Sequence, residues 1–115
     1  MRALLLAAAI RTFSRKGKIE DACLVALDFP YHVSARKVFR SHQDIAVAYF
    51  SRLLAEGFKP NNAVYALGYC FLENGQHKEA LEMFNQALSL SEHEKRTEDI
   101  QKRISEIHQA LDKRG

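Results

Sequence analysis

Apolar positions recur every three or four residues along almost the whole chain, and few runs alternate strictly. That periodicity predicts helices one after another. RALLLAAAIRTFSRKG reads as a first helix stopped by Gly17, and KIEDACLVALDF as a second with Pro30 just past its end. PYHVSARKVFR is expected to open at Pro30, a favourable first-turn residue. SHQDIAVAYFSRLLAEG follows, with a capping arrangement at Ser41 and Asp44 and a stop at Gly57. FKPNN is a turn. NAVYALGYCFLENG and QHKEALEMFNQALSL form a helical hairpin broken at Asn74 and Gly75. The last stretch, SEHEKRTEDIQKRISEIHQALDKRG, carries a capping-box pattern at Ser91 and Glu94. Ile100, Ile104, Ile107 and Leu111 make one apolar stripe on an otherwise polar helix.

The hairpin over residues 67–88 places small residues where bulk would do harm. Two helices approach closely only if small side chains sit where their axes cross, a place Gly68 and Ala80 can take. Leu67, Phe71, Leu81, Phe84 and Leu88 fill the space around them, and Ala87 leaves room for a neighbouring helix. Gly75 falls at the turn, where a positive φ is needed. One such hairpin cannot bury its outer faces alone and needs another unit stacked on it.

A repeat test supports that expectation. Ala46 to Ala80, Phe50 to Phe84 and Leu54 to Leu88 are each 34 residues apart, and Leu53 matches Ala87 at the same offset. This is the tetratricopeptide period. Leu67, Gly68, Phe71, Gly75, Ala80, Phe84 and Ala87 stand at the signature spacings, so residues 61–94 resemble a tetratricopeptide repeat. Residues 30–60 resemble it only in the second helix. Val33 and Ser34 replace the expected Leu-Gly there, and Lys37 replaces the aromatic; in the well-matched repeat Glu92 stands in place of the usual closing proline, although Pro60 lies near the end of the earlier unit. The resemblance implies an all-α protein, a short right-handed α-solenoid of antiparallel helical hairpins with a capping helix at residues 95–113. Residues 3–29 form an N-terminal helix pair in this reading. There Phe13, Gly17, Ala22 and Ala26 copy the spacing of Phe71, Gly75, Ala80 and Phe84, but Ala22 to Ala46 is only 24 residues. The pattern also suits a segment of a longer solenoid.

Charge and composition change this picture little. Of the net +3, residues 1–40 hold eight Lys/Arg against three Asp/Glu, and residues 41–115 hold nine against eleven. The basic excess is therefore local, unlike a basic face spread along the whole chain. MRALLLAAAIRTFSRKGK contains no acid and resembles a mitochondrial presequence, with RTFS resembling a processing site after Phe13. The other reading is a first solenoid helix with a basic C-terminal end. A cytoplasmic location is the main expectation and a mitochondrial one the alternative. The longest apolar run, ALLLAAAI, is far shorter than the about 20 residues a membrane span needs. Cys23 and Cys70 are widely separated and suit small core hydrophobes better than a disulfide or a zinc site.

Candidate chemistry is sparse. The five histidines, His32, His42, His77, His93 and His108, contain no HExxH pair, and no Gly-rich phosphate loop or nucleophile elbow is present. EHEKRTED reads as surface ion pairs of small worth. We expect no catalysis, no cofactor and no metal. In tetratricopeptide proteins the first helices line a concave surface that holds peptides or partner helices. By that resemblance Asn62, Tyr65, Tyr69 and Glu73 are the candidate contacts for a protein or peptide partner. Alternatively, the two tyrosines pack against the preceding hairpin or the final helix. The lysine that family members use to clamp chaperone tails is missing, since Tyr65 and Tyr69 stand in its place. The second functional reading is an organellar RNA-binding fragment. TFSRKGKIEDAC and EGFKPNNAVYALGYC also resemble pentatricopeptide repeats, although their base-reading positions hold Ala8 and Ala66, which cannot hydrogen-bond a base edge.

Overall fold

The computed structural model describes residues 14–114. These form six helices: α1 (Arg15–Ala26), α2 (Val33–Ser41), α3 (Gln43–Ala55), α4 (Pro60–Glu73), α5 (His77–Leu90) and α6 (Glu94–Arg114). No strand occurs among the described residues. The first helix expected before Gly17 falls largely on residues 1–13, outside the described residues.

The helix boundaries follow from local chemistry. Ser14 caps α1 by accepting a hydrogen bond from the Gly17 N–H at 3.0 Å. Gly17 is therefore a buried first-turn residue of α1 and not a stop. The α2 helix opens at Val33, three residues after Pro30, because His32 takes the cap position and its Nδ1 accepts from the Ser34 N–H at 3.2 Å. Ser41 ends α2, so it does not cap α3; the single residue His42 separates the two helices. Two turns carry glycine at φ +73°, Gly57 after α3 and Gly75 after α4. At each, the next N–H reaches back to a carbonyl five residues earlier: Phe58 to Leu53 and Gln76 to Phe71, both 2.9 Å. This closes the last carbonyls of the helix and demands the left-handed conformation that glycine tolerates. Pro60 occupies the first turn of α4, where its missing N–H costs nothing. Ser91 does not form the expected box at α6; its hydroxyl accepts from Thr97 Oγ1 at 2.9 Å.

The core runs through the stack of hairpins. Ile19, Cys23 and Ala26 of α1 pack with α3, and Phe39 meets Phe50 edge-on at 5.6 Å. Eight consecutive residues of α4, 63–70, are buried, as befits a helix with neighbours on every side. Ala80, Phe84 and Ala87 supply the buried face of α5, and Ile100 and Ile107 that of α6, with Ile104 and Leu111 half-buried beside them. Gly68 lies against the Phe84 ring.

The 34-residue period reappears as side-chain contacts. Asn62 Nδ2 donates to Asp28 Oδ1 at 3.1 Å, and Arg96 Nη1 donates to Asn62 Oδ1 at 3.1 Å. The Tyr65 hydroxyl donates to Asp99, and Arg103 Nε donates to the Tyr69 hydroxyl at 3.1 Å. Each pair joins residues 34 apart. Stacking the first helix of one unit on the first helix of the next creates this separation. The α6 helix thus stands where the first helix of a further unit would stand.

Candidate functional site

The inner face of α4 is built from Asn62, Tyr65, Tyr69 and Glu73, which recur three or four residues apart and so share one side of the helix. The structure brings all four into contact with flanking elements. Asn62 reaches Asp28 on one side and Arg96 on the other. Glu73 accepts from Arg36 Nη2 at 2.8 Å. Both tyrosine hydroxyls donate to the same carboxylate oxygen of Asp99, and Arg103 donates to the second Asp99 oxygen at 3.3 Å and to Glu106 at 2.8 Å.

Tyr65 and Tyr69 are 1% and 0% exposed. Their rings meet each other edge-on at 5.4 Å, and each meets Phe84, at 6.3 and 5.2 Å. Arginines cover them: the Arg96 guanidinium sits 4.9 Å from the Tyr65 centroid and that of Arg36 5.4 Å from the Tyr69 centroid. Such stacks contribute about 0.5–1 kcal/mol each where water is near. Of the two readings of the sequence, this burial agrees with the one in which the tyrosines pack against the final helix. The α6 helix lies against them, and arginines are held over the tyrosine floor.

A cavity of about 380 Å³ opens beside this floor, lined by Asp28, Tyr31, Tyr65, Lys95, Arg96 and Asp99, with His93. Its two carboxylates are already engaged, Asp28 by Lys59 and Asn62, and Asp99 by the tyrosines and Arg103. Its cations are not. Among the described residues Lys95 makes no hydrogen bond or ion pair, and Arg96 bonds only the neutral Asn62. Tyr31 is half exposed.

None of Arg36, Lys95, Arg96, Asp99 or Arg103 stands out by residue type, and the run EHEKRTED reads as solvated ion pairs. The signal was the period itself: 34 residues beyond Asn62, Tyr65 and Tyr69 lie Arg96, Asp99 and Arg103.

Among the described residues no group of three or more His, Cys, Asp or Glu is arranged to hold a metal ion, and no helix is long and apolar enough to cross a membrane. Cys23 and Cys70 are free and buried.

A family model described as anaphase-promoting complex, cyclosome, subunit 3 matches residues 40–97, just over half of the chain. The chain belongs to this family. No match was found among curated proteins or among solved structures. The subunit 3 family is one of tetratricopeptide-like repeats, typically non-catalytic, and membership points to a protein–protein interaction module. The match to the subunit 3 model begins at the end of α2 and ends in the first turn of α6, so it takes in the hairpin of α4 and α5 whole.

Burial also fixes how this family member responds to alkali. The Cys23 thiol is pushed up to about 12 by desolvation, with the Glu20 charge adding to it. Burial likewise raises Cys70, Tyr65 and Tyr69. Each group holds its proton more tightly folded than unfolded. The thiols' contribution is complete below about pH 8 and is lost as pH climbs past the unfolded thiol value near 8.5, whereas that of the tyrosines is lost only above about 10. Each thiol in its window lowers stability by about 1.4 kcal/mol per pH unit. Denaturation midpoints should therefore fall between pH 8.5 and 10, and Cys23→Ala should make that fall shallower by about one proton. An unchanged slope would mean that Cys23 is reachable by solvent.

Proposed function

We propose that this chain is a non-catalytic protein–protein interaction module that engages an acidic segment of a partner protein on the inner face of its repeats. The observation that supports this reading is the pair Lys95 and Arg96, two cations without carboxylate partners among the described residues, beside the half-exposed ring of Tyr31. A carboxylate-bearing segment would satisfy both charges, and Tyr31 offers a rigid contact at low entropic cost. Asn62, Tyr65, Tyr69 and Glu73 act here as positioning residues. Through stacking and hydrogen bonds they hold Arg96 and Arg36 in place, and pre-placed side chains lose less freedom on binding. The family description names a subunit of a complex, which supports work inside a larger assembly.

The test is affinity recovery from native lysate with and without RNase, comparing the native chain with Lys95→Glu/Arg96→Gln. A protein partner that survives RNase, elutes as salt rises and drops at least tenfold in the variant is the expected result. The variant must keep its helical spectrum. Recovery that collapses on RNase treatment would transfer the assignment to the RNA-binding reading. On that alignment Ala66 is buried within α4 and Ala8 lies outside the described residues.

A further inference from the structure

Among the described residues the hairpin of α1 and α2 leaves an apolar face open. A slot of about 480 Å³ runs between the two helices. Ala22, Val25 and Ala26 of α1, Phe29 of the loop, and Ala35 and Val38 of α2 line it, and His32 and Ser34 are its polar side chains. Val25 is 73% exposed and Phe29 55%. A contiguous apolar surface of this kind marks a place where something docks.

The charge at the foot of the slot says what docks. The two helices run antiparallel, so the first turn of α1 meets the last turn of α2. There Arg15 and Arg40 line one cavity of about 380 Å³ with Ser41 and His42. Lys18 lies between Arg15 and Ala22 on the same side of α1, and Lys37 is exposed beside Val38 on α2. None of these four cations has a hydrogen bond or ion pair with a described residue. Against them stand two acids without an ion pair, Asp44 in the cavity and Asp21, which points about 100° away from Ala22 around α1. The slot is therefore apolar along its length and cationic at its foot.

We propose that this slot takes an amphipathic helix of a partner protein, about three turns long, with an acidic first turn. A groove between two packed helices suits a third helix, as α2 and α3 together take α4. The partner's apolar stripe covers Val25 and Phe29, and its acids meet Arg15, Lys18, Lys37 and Arg40. The α1 helix has 12 residues, about 18 Å at 1.5 Å per residue, and sets the length of the occupant. Acids are favoured in the first turn of a helix by its dipole, so the partner helix runs parallel to α1.

The inference is independent of the inner-face reading, because neither the slot nor the cavity at its foot shares a residue with the Lys95–Arg96 cavity. It is tested on the full chain with two labelled helical peptides that carry the same leucine stripe, one opening with three glutamates and the other with three lysines. The glutamate peptide should bind about tenfold more tightly, the product of two or three exposed ion pairs, and the difference should shrink as salt rises. Lys18→Glu/Lys37→Glu should reverse the order of the two peptides. Val25→Asp/Phe29→Asp should abolish binding of both with the helical spectrum unchanged, since these side chains are exposed. The inner-face variant Lys95→Glu/Arg96→Gln should bind the glutamate peptide as the native chain does. Equal affinity for the two peptides, or binding of neither, would overturn the proposal. So would loss of the glutamate peptide in the inner-face variant alone, which would place its acids at Lys95 and Arg96. A mass that doubles with concentration in the native chain but not in Val25→Asp/Phe29→Asp would assign the slot to a second copy instead.

Discussion

Gly68→Leu is expected to cost about 3 kcal/mol or more, and Gly68→Ala alone about 1–3 kcal/mol. A Cβ on Gly68 would lie 2.8 Å from Phe84 Cε1, 2.9 Å from Cδ1 and 3.0 Å from Cζ. These are atoms of a ring, so no flexible chain end can swing aside. Phe84 is fully buried and braced edge-on by Tyr65 and Tyr69, so the ring can yield only by moving both tyrosines or parting α4 from α5. Alanine in a helix interior normally gains about 1 kcal/mol over glycine, so a net loss would show that the contact outweighs propensity.

Denaturant midpoints of the two variants measure the effect. For a domain of this size each kcal/mol shifts the melting temperature by about 4–8 °C. Phe84→Leu in the Gly68→Ala background should cost less than the sum of the separate changes, since the smaller side chain makes room for the added methyl. A Gly68→Ala variant as stable as the native chain would remove the close approach of α4 and α5 from the account of this fold.

That close approach was legible in the sequence because glycine and alanine at fixed spacing have few uses inside a helix. The helical class and the 34-residue offset were legible for the same reason: Ala46, Phe50 and Leu54 repeat as Ala80, Phe84 and Leu88. Boundaries were less so. Gly17 looks like a stop, but Ser14 three residues before it offers a cap, and a glycine in the first turn of a helix meets no penalty large enough to end it. Pro30 looks like a start, but His32 provides a side-chain acceptor and leaves Pro30 buried in the preceding turn. In each case a short polar contact, invisible to periodicity, chose between neighbouring registers.

The inner face was half legible. Asn62, Tyr65, Tyr69 and Glu73 share one side of α4 by spacing alone. Whether they meet a partner or pack inward stayed open, because their burial depends on arginines and an aspartate 30 or more residues away in sequence. A polar helix such as α6 advertises only its apolar stripe. That Arg96, Asp99 and Arg103 also face inward becomes visible once the stacking period is imposed on them.

Asp99→Ala is the second large expected effect, about 2–5 kcal/mol. Its carboxylate accepts from the Tyr65 and Tyr69 hydroxyls and from Arg103. Removing it strands two buried donors, each costing about 1–3 kcal/mol, while Arg103 keeps Glu106. Removing both members of a buried pair costs far less than removing one. Tyr65→Phe in the Asp99→Ala background should therefore restore part of the loss, whereas in the native background it should destabilise. Adding Tyr69→Phe should restore more. Asp99→Asn separates geometry from charge, since the amide oxygen still accepts a hydroxyl proton while the ion pair with Arg103 is lost. Its cost should fall between those of the native chain and Asp99→Ala. If Asp99→Ala proves no more destabilising than Lys102→Ala on the exposed side of the same helix, α6 is not anchored through Asp99. In that case the tyrosines would be free to meet a partner directly.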